Sequence, residues 1–193
     1  MSGSIFTDGA VFGCDAELPR AGFSIVCVDE TGDIVSACYG PLPADICPSQ
    51  TIAEAEDFAL AELALCAVAP LSIYTHRADT VRTAKGTETA ATQPSNARAH
   101  LGALCFAAFG GDEQGQVRKT LAHASLGDDE AGRTTHWQRR GNEHADRLAK
   151  LGAAAHGLTT KHLEEAAVLS SLAFQAARWA GEARVLVHDA VQQ

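Results

Sequence analysis

The N-terminal part of the chain alternates short apolar runs with polar punctuation. Ser4 to Thr7 is apolar and runs into Asp8-Gly9, which ends or interrupts a first strand by turn chemistry. Phe23 to Val28 and Ile34 to Tyr39 flank the cluster Asp29-Glu-Thr-Gly-Asp33, and β-rich runs either side of such a cluster predict a hairpin. Gly40-Pro41-Leu-Pro43 closes the sheet run, because proline has no N–H for a ladder. The period then changes. Thr51-Ile-Ala-Glu54 has capping-box spacing, and Phe58, Leu60, Leu63, Leu65 and Cys66 form a broad apolar stripe, so a helix follows and Pro70 stops it.

Leu71 to Thr75 reads as a buried strand ending at His76, and Asp79 to Lys85 as two helical turns. Thr87 to Ser95 is polar and reads as a loop. Ser95 or Asn96 caps a helix that reaches Phe109 and closes at Gly110-Gly111. Gln116 to Ala122 is a last strand leading into His123. Ser125 to Arg140 reads as a long loop, and Asn142 to Leu151 as a helix with Leu148 and Leu151 inward. Beyond it, Leu169, Leu172, Ala176, Trp179, Ala183 and Leu186 form a seam on a separate amphipathic helix over Thr160 to Val187. That seam is short for a coiled coil, and packing back on the domain is the favoured reading.

Hairpin strands first and helix-crossed strands later predict an α/β fold, a five-stranded mixed sheet with helices packed on both faces. Residues 1–157 make the domain and 158–193 a C-terminal helical extension. An apolar fraction of 46% suffices to fill a core. No uncharged apolar run approaches the roughly 20 residues a bilayer crossing needs. The N-terminus has neither a basic n-region nor a signal-type apolar stretch, so an intracellular address, nucleus or cytoplasm, is expected and no membrane partner. Six cysteines include no C-x-x-C pair, which disfavours a zinc finger or a disulfide framework. Cys27, Cys38, Cys66 and Cys105 lie in apolar runs as small hydrophobes.

Charge sharpens the picture. The formal net charge is -9, and residues 1–70 hold eleven acids against the single cation Arg20. Such a chain is a poor general phosphate binder. Acids gathered at one site, however, suit hard metal ions. Asp8, Glu56 and Asp146 recur at element ends that this sheet would bring together, although turn chemistry, the helix dipole and a solvated face explain each one singly.

Taken jointly, Ile5-Phe-Thr-Asp8-Gly9, Gln50-Thr-Ile-Ala-Glu-Ala-Glu56, Ile73-Tyr-Thr75 and Gly141-Asn-Glu-His-Ala-Asp-Arg-Leu-Ala149 resemble type 1 ribonuclease H of the retroelement (retrotransposon) branch, over about residues 4 to 157. The resemblance implies a ribonuclease H-like fold and a hydrolase: an endonuclease that cleaves the RNA strand of an RNA–DNA hybrid. It also implies two Mg²⁺ or Mn²⁺ ions held by clustered carboxylates, and a reverse transcriptase or other polymerase domain as a possible partner. By the same carry-over Asp8 bridges the ions, Asp146 holds the ion that prepares the nucleophile, and Glu56 serves the leaving-group side. Gly9, Thr51, Asn142, Arg118 and Arg139 would meet the substrate.

The sequence departs from the family at one ligand. A fourth carboxylate belongs after the strand threonine, where this chain reads Thr75-His76. Imidazole is a nitrogen ligand suited to zinc, copper or iron rather than Mg²⁺. Asp79 lies one helical turn further on and is a poor substitute. Ile52 and Ala53 stand where relatives carry polar groups. Arg118, Lys119, Arg133, Arg139, Arg140, Arg147 and Lys150 are the candidate phosphate contacts. His123 and His136 compete for the family's mobile histidine, and His123 has the better strand context. An inactive module that keeps the fold for binding, and an interaction module built on the C-terminal seam, are the alternatives to an active hybrid nuclease.

Overall fold

In the computed structural model, successive residues of the strands serve two different cores. The structure describes residues 3–12, 18–66, 71–93, 97–110, 115–157 and 159–191. Strand β1 (Ser4–Phe12) lies between β2 (Arg20–Val28), which is antiparallel to it, and β4 (Leu71–Thr75), which is parallel. The hairpin partner β3 (Ile34–Pro41) and the parallel strand β5 (Gly115–Lys119) flank these, giving the order β3-β2-β1-β4-β5. Side chains alternate across a pleated sheet, so Ile5 and Ile73 enter one core while their neighbours Phe6 and Tyr74 enter the other.

The first core is covered by α1 (Ile52–Cys66), α2 (Ala78–Lys85) and α4 (Ala99–Phe109), through Phe58, Leu60, Ala84, Leu101 and Cys105. The second is covered by a long helix over His136–Ala154, which contributes Ala145 and Leu148 against Phe6, Val26 and Tyr74. Its close seat depends on Gly141, where a Cβ would overlap the Phe6 ring. Phe6 and Tyr74 stack at 5.1 Å, and Trp137 meets Tyr74 edge-on at 5.4 Å.

Several expectations shift. Strand β1 passes straight through Asp8-Gly9, because nine residues pair with β2 and Asp8 lies opposite Ser24. The polar stretch after Thr87 contains a short helix α3 (Glu88–Ala91), which the Thr87 hydroxyl caps by accepting from the Ala90 N–H. Strand β5 ends at Lys119, short of Ala122. The long loop proves largely helical: α5 (Leu126–Glu130) and the start of α6 (His136–Ala154) occupy it, each opened by a capping box, Ser125/Asp128 and Thr135/Gln138. Leu151 is exposed rather than inward, and so are Cys38 on the open edge strand and Cys66 at the end of α1. Pro70, Ser95, Asn96 and Gly111 lie outside the described residues.

The residues divide into two units. The layered one runs to His156, and the second holds helix α7 (Thr160–Val191), along which Leu169, Leu172 and Trp179 are exposed. Among the described residues no helix is long and apolar enough to cross a membrane.

Candidate metal centre

Parallel pairing sets the first two groups together. Phe6 of β1 lies opposite Tyr74 of β4, so two residues further along Asp8 comes level with His76. His76 Nδ1 is 3.4 Å from Asp8 Oδ1. The third group arrives on α1. A Cβ at Gly9 would lie 2.8 Å from the Ile52 carbonyl oxygen and 2.9 Å from the Glu56 nitrogen, so glycine lets the start of the helix descend onto the strand. Glu56 then reaches the strand ends, with Oε1 3.4 Å from His76 Nε2 and Oε2 accepting from the Thr75 hydroxyl at 3.1 Å. One ligand atom from each of Asp8, Glu56 and His76 lies within 4.8 Å of the others.

Burial governs the electrostatics. Asp8 is 2% exposed and Glu56 fully buried. Loss of hydration pushes the Asp8 carboxyl up to about 7, against the hydrogen bond from the Gly9 N–H and with some help from the Asp146 charge. Burial, then the Asp8 charge, pushes Glu56 up to about 8, against the Thr75 hydroxyl and the Arg77 cation. Burial, then the nearby His123, lowers His76, which favours the neutral imidazole. Two buried polar atoms that face this space, Glu56 Oε1 and His76 Nδ1, have no hydrogen-bond partner. Buried polar atoms are nearly always satisfied, so this orphaned pair beside a second carboxylate fits a bound divalent cation.

Asp146, on α6, stands beside the trio rather than within it. Its Oδ2 accepts from Lys150 Nζ at 2.7 Å, while its charge still acts on Asp8 and His76. The His123 ring is 6.4 Å from that of His76, on a backbone with φ of 48°, a left-handed conformation uncommon for a side-chain-bearing residue. His136 instead occupies the exposed first turn of α6, near Asp129 and Arg139.

The proposed substrate contacts are dispersed. Gly9 packs under α1 as described, Thr51 caps that helix by accepting from the Glu54 N–H, and Asn142 is buried on α6. Arg118 donates to Gln116 at 3.2 Å. Arg139 pairs with Asp129 at 2.8 Å and Glu143 at 3.6 Å, joining α5 to α6. Arg133 and Arg140 likewise pair with Asp128 and Asp33. Asp79 turns to Arg77 and Arg82. Two participants were not singled out from sequence as site residues, Thr75, which orients Glu56, and Arg77, whose charge acts on Glu56 and His76; Lys150, read from sequence as a phosphate contact, also pairs with Asp146. Only that last pairing has a spacing signal, four residues along a helix face.

No family model matches the sequence, and no curated protein matches it. Solved structures do. The chain is similar to the foamy viral protease–reverse transcriptase in complex with an RNA/DNA hybrid, with a TM-score of 0.58 and 15% identity over 79% of this chain and 20% of that one. It is similar to the PFV RNase H domain in solution, with a TM-score of 0.51 and 19% identity over 79% of this chain and 94% of that one. LC11-RNase H1, isolated from compost, gives a TM-score of 0.51 and 16% identity over 79% and 96%. The chain therefore has a ribonuclease H-like fold, and it spans about a fifth of the viral protease–reverse transcriptase.

Proposed function

We propose that the protein is a metal-dependent ribonuclease H of retroelement origin that hydrolyses the RNA strand of an RNA–DNA hybrid. The observation that carries this reading is the trio of buried Asp8 and Glu56 with half-buried His76, two of whose buried polar atoms are unmatched, on a ribonuclease H-like sheet. These three residues would hold the metal, with Asp146 alongside. Bound there, a divalent ion supplies Lewis-acid stabilisation of phosphate charge and an acidified water.

The chain's own groups do the rest. Thr75 fixes the Glu56 carboxylate, and the Gly9 N–H fixes Asp8 Oδ1 at 2.7 Å. His123 is close enough to the trio to accept or return a proton near the scissile group. Exposed Thr51 would face the hybrid, which is read by shape, 2′-hydroxyls and phosphates, while Gly9 and Asn142 lie under α1 and within α6 and would act by seating those helices. Of the seven candidate phosphate contacts, Arg118, Lys119 and Arg147 have no carboxylate partner among the described residues and are the ones left for its backbone. Likeness to a protease–reverse transcriptase makes a polymerase domain the natural partner. A nuclear or cytoplasmic setting goes with that role.

The test is cleavage of a hybrid labelled on its RNA strand, with Mg²⁺ or Mn²⁺, against duplex DNA and single-stranded RNA. RNA in the hybrid should be cut, and Asp8→Asn should reduce the rate by about 10²-fold or more. Folded protein that cuts the hybrid with neither ion would sink the reading.

A further inference from the structure

The donor set at this centre differs from an all-carboxylate cradle in kind as well as number. Mg²⁺ demands near-octahedral oxygen coordination and sheds water reluctantly, whereas imidazole suits later first-row dications. Here the imidazole is central: Nδ1 faces Asp8 and Nε2 faces Glu56, each at 3.4 Å. Glu56 Oε1 is fully buried, unpartnered and directed at that ring. The next carboxylate, Asp146, is taken up by Lys150 at 2.7 Å. What remains is one compact set of two oxygens and one nitrogen. Both carboxylates are fixed by hydrogen bonds, Glu56 by Thr75 on the oxygen turned away from His76 and Asp8 by the Gly9 N–H on the oxygen that faces it.

We infer that His76 makes this a one-ion centre selective for a first-row transition-metal dication over Mg²⁺. The inference deepens the proposed function and rests on its metal site, but it concerns binding and needs no turnover. The nitrogen donor favours ions that accept imidazole, and among the described residues the compact ligand group is this trio, with Asp146 outside it.

The experiment uses the full-length protein stripped with chelator, Co²⁺ as probe and Mg²⁺ as competitor, without nucleic acid. Co²⁺ should bind at one equivalent with visible d–d absorption, and about a 1,000-fold excess of Mg²⁺ should not displace it. His76→Ala should weaken Co²⁺ binding about tenfold or more. His76→Asp should narrow the preference for Co²⁺ over Mg²⁺ by a similar factor, and His76→Asn provides a near-isosteric variant if either of these loses the native far-UV spectrum. Two equivalents of Co²⁺, ready displacement by Mg²⁺, or unchanged selectivity in folded His76 variants would overturn the inference. Hybrid cleavage with Mg²⁺ by a two-ion protein would overturn it while leaving the nuclease reading intact. Tight single-site Co²⁺ binding without any cleavage would do the reverse.

Discussion

Gly9 and Gly141 decide whether the helices that carry Glu56 and Asp146 can seat on the strand that carries Asp8. Gly9 admits the start of α1, and Gly141 admits α6 against Phe6. In sequence, Asp8-Gly9 looks like a turn; in the fold the glycine answers a close approach from another element, which no local rule detects. Because Phe6 is fully buried, Gly141→Ala must displace a packed ring. It should cost about 1–3 kcal/mol in urea denaturation, as overpacking does. The acids make a second, pH-dependent claim. Asp8 and Glu56 have carboxyls raised to about 7 and about 8, so the folded metal-free protein keeps protons that the unfolded chain has already lost. Their contribution to stability is complete below the ordinary carboxylate range and disappears as pH rises through 7 to 8. The lowered His76 acts oppositely, withdrawing stability below its ordinary 6.5. Metal-free protein should therefore lose denaturation resistance as pH rises from the ordinary carboxylate range to about 8 and level off above it, with Asp8→Asn flattening the slope. A metal must displace the same protons, so calorimetry in buffers of different ionisation enthalpy should detect proton release on binding, and affinity should rise with pH.

At the level of elements, the strands, α1, α2 and α4 follow from periodicity and punctuation, and the motif on α6 follows from its phrase. What periodicity missed lies between Ser125 and Arg140, where few apolar residues mark an inward face. The signal there is chemical: Ser125 with Asp128, and Thr135 with Gln138, are capping boxes with the spacing that also opens α1 at Thr51 and Glu54. Recognising the second box would have started α6 at His136 and removed that histidine from the loop. It carries a testable consequence. Thr135→Ala should destabilise the protein by about 1 kcal/mol and speed amide exchange in the first turn of α6. Gln50 is a quieter case. Its buried amide accepts from the distant Ala21 and donates to the nearby Leu42 and Cys47, seating the entry to α1 against β2.

For the whole molecule, net charge is the dominant constraint. Of the seven candidate phosphate contacts, four already face carboxylates: Arg133, Arg139, Arg140 and Lys150 pair with Asp128, Asp129, Asp33 and Asp146. Composition shows the acidic excess, but only the fold tells which cations it consumes. If Arg118, Lys119 and Arg147 carry the phosphate contacts, hybrid affinity should fall with salt at a log–log slope no steeper than about -3. A much steeper slope in a filter-binding titration would mean that the paired arginines open on binding.

The aromatic stack beneath the centre offers one practical consequence. Trp137 contacts Phe6 and Tyr74, the residues two positions before Asp8 and His76, whereas Trp179 is 72% exposed. The two indoles therefore differ as chromophores. Iodide should quench Trp179 first, and the bluer emission that survives becomes a built-in optical reporter, coupled through Phe6 and Tyr74 to the strands that position Asp8 and His76.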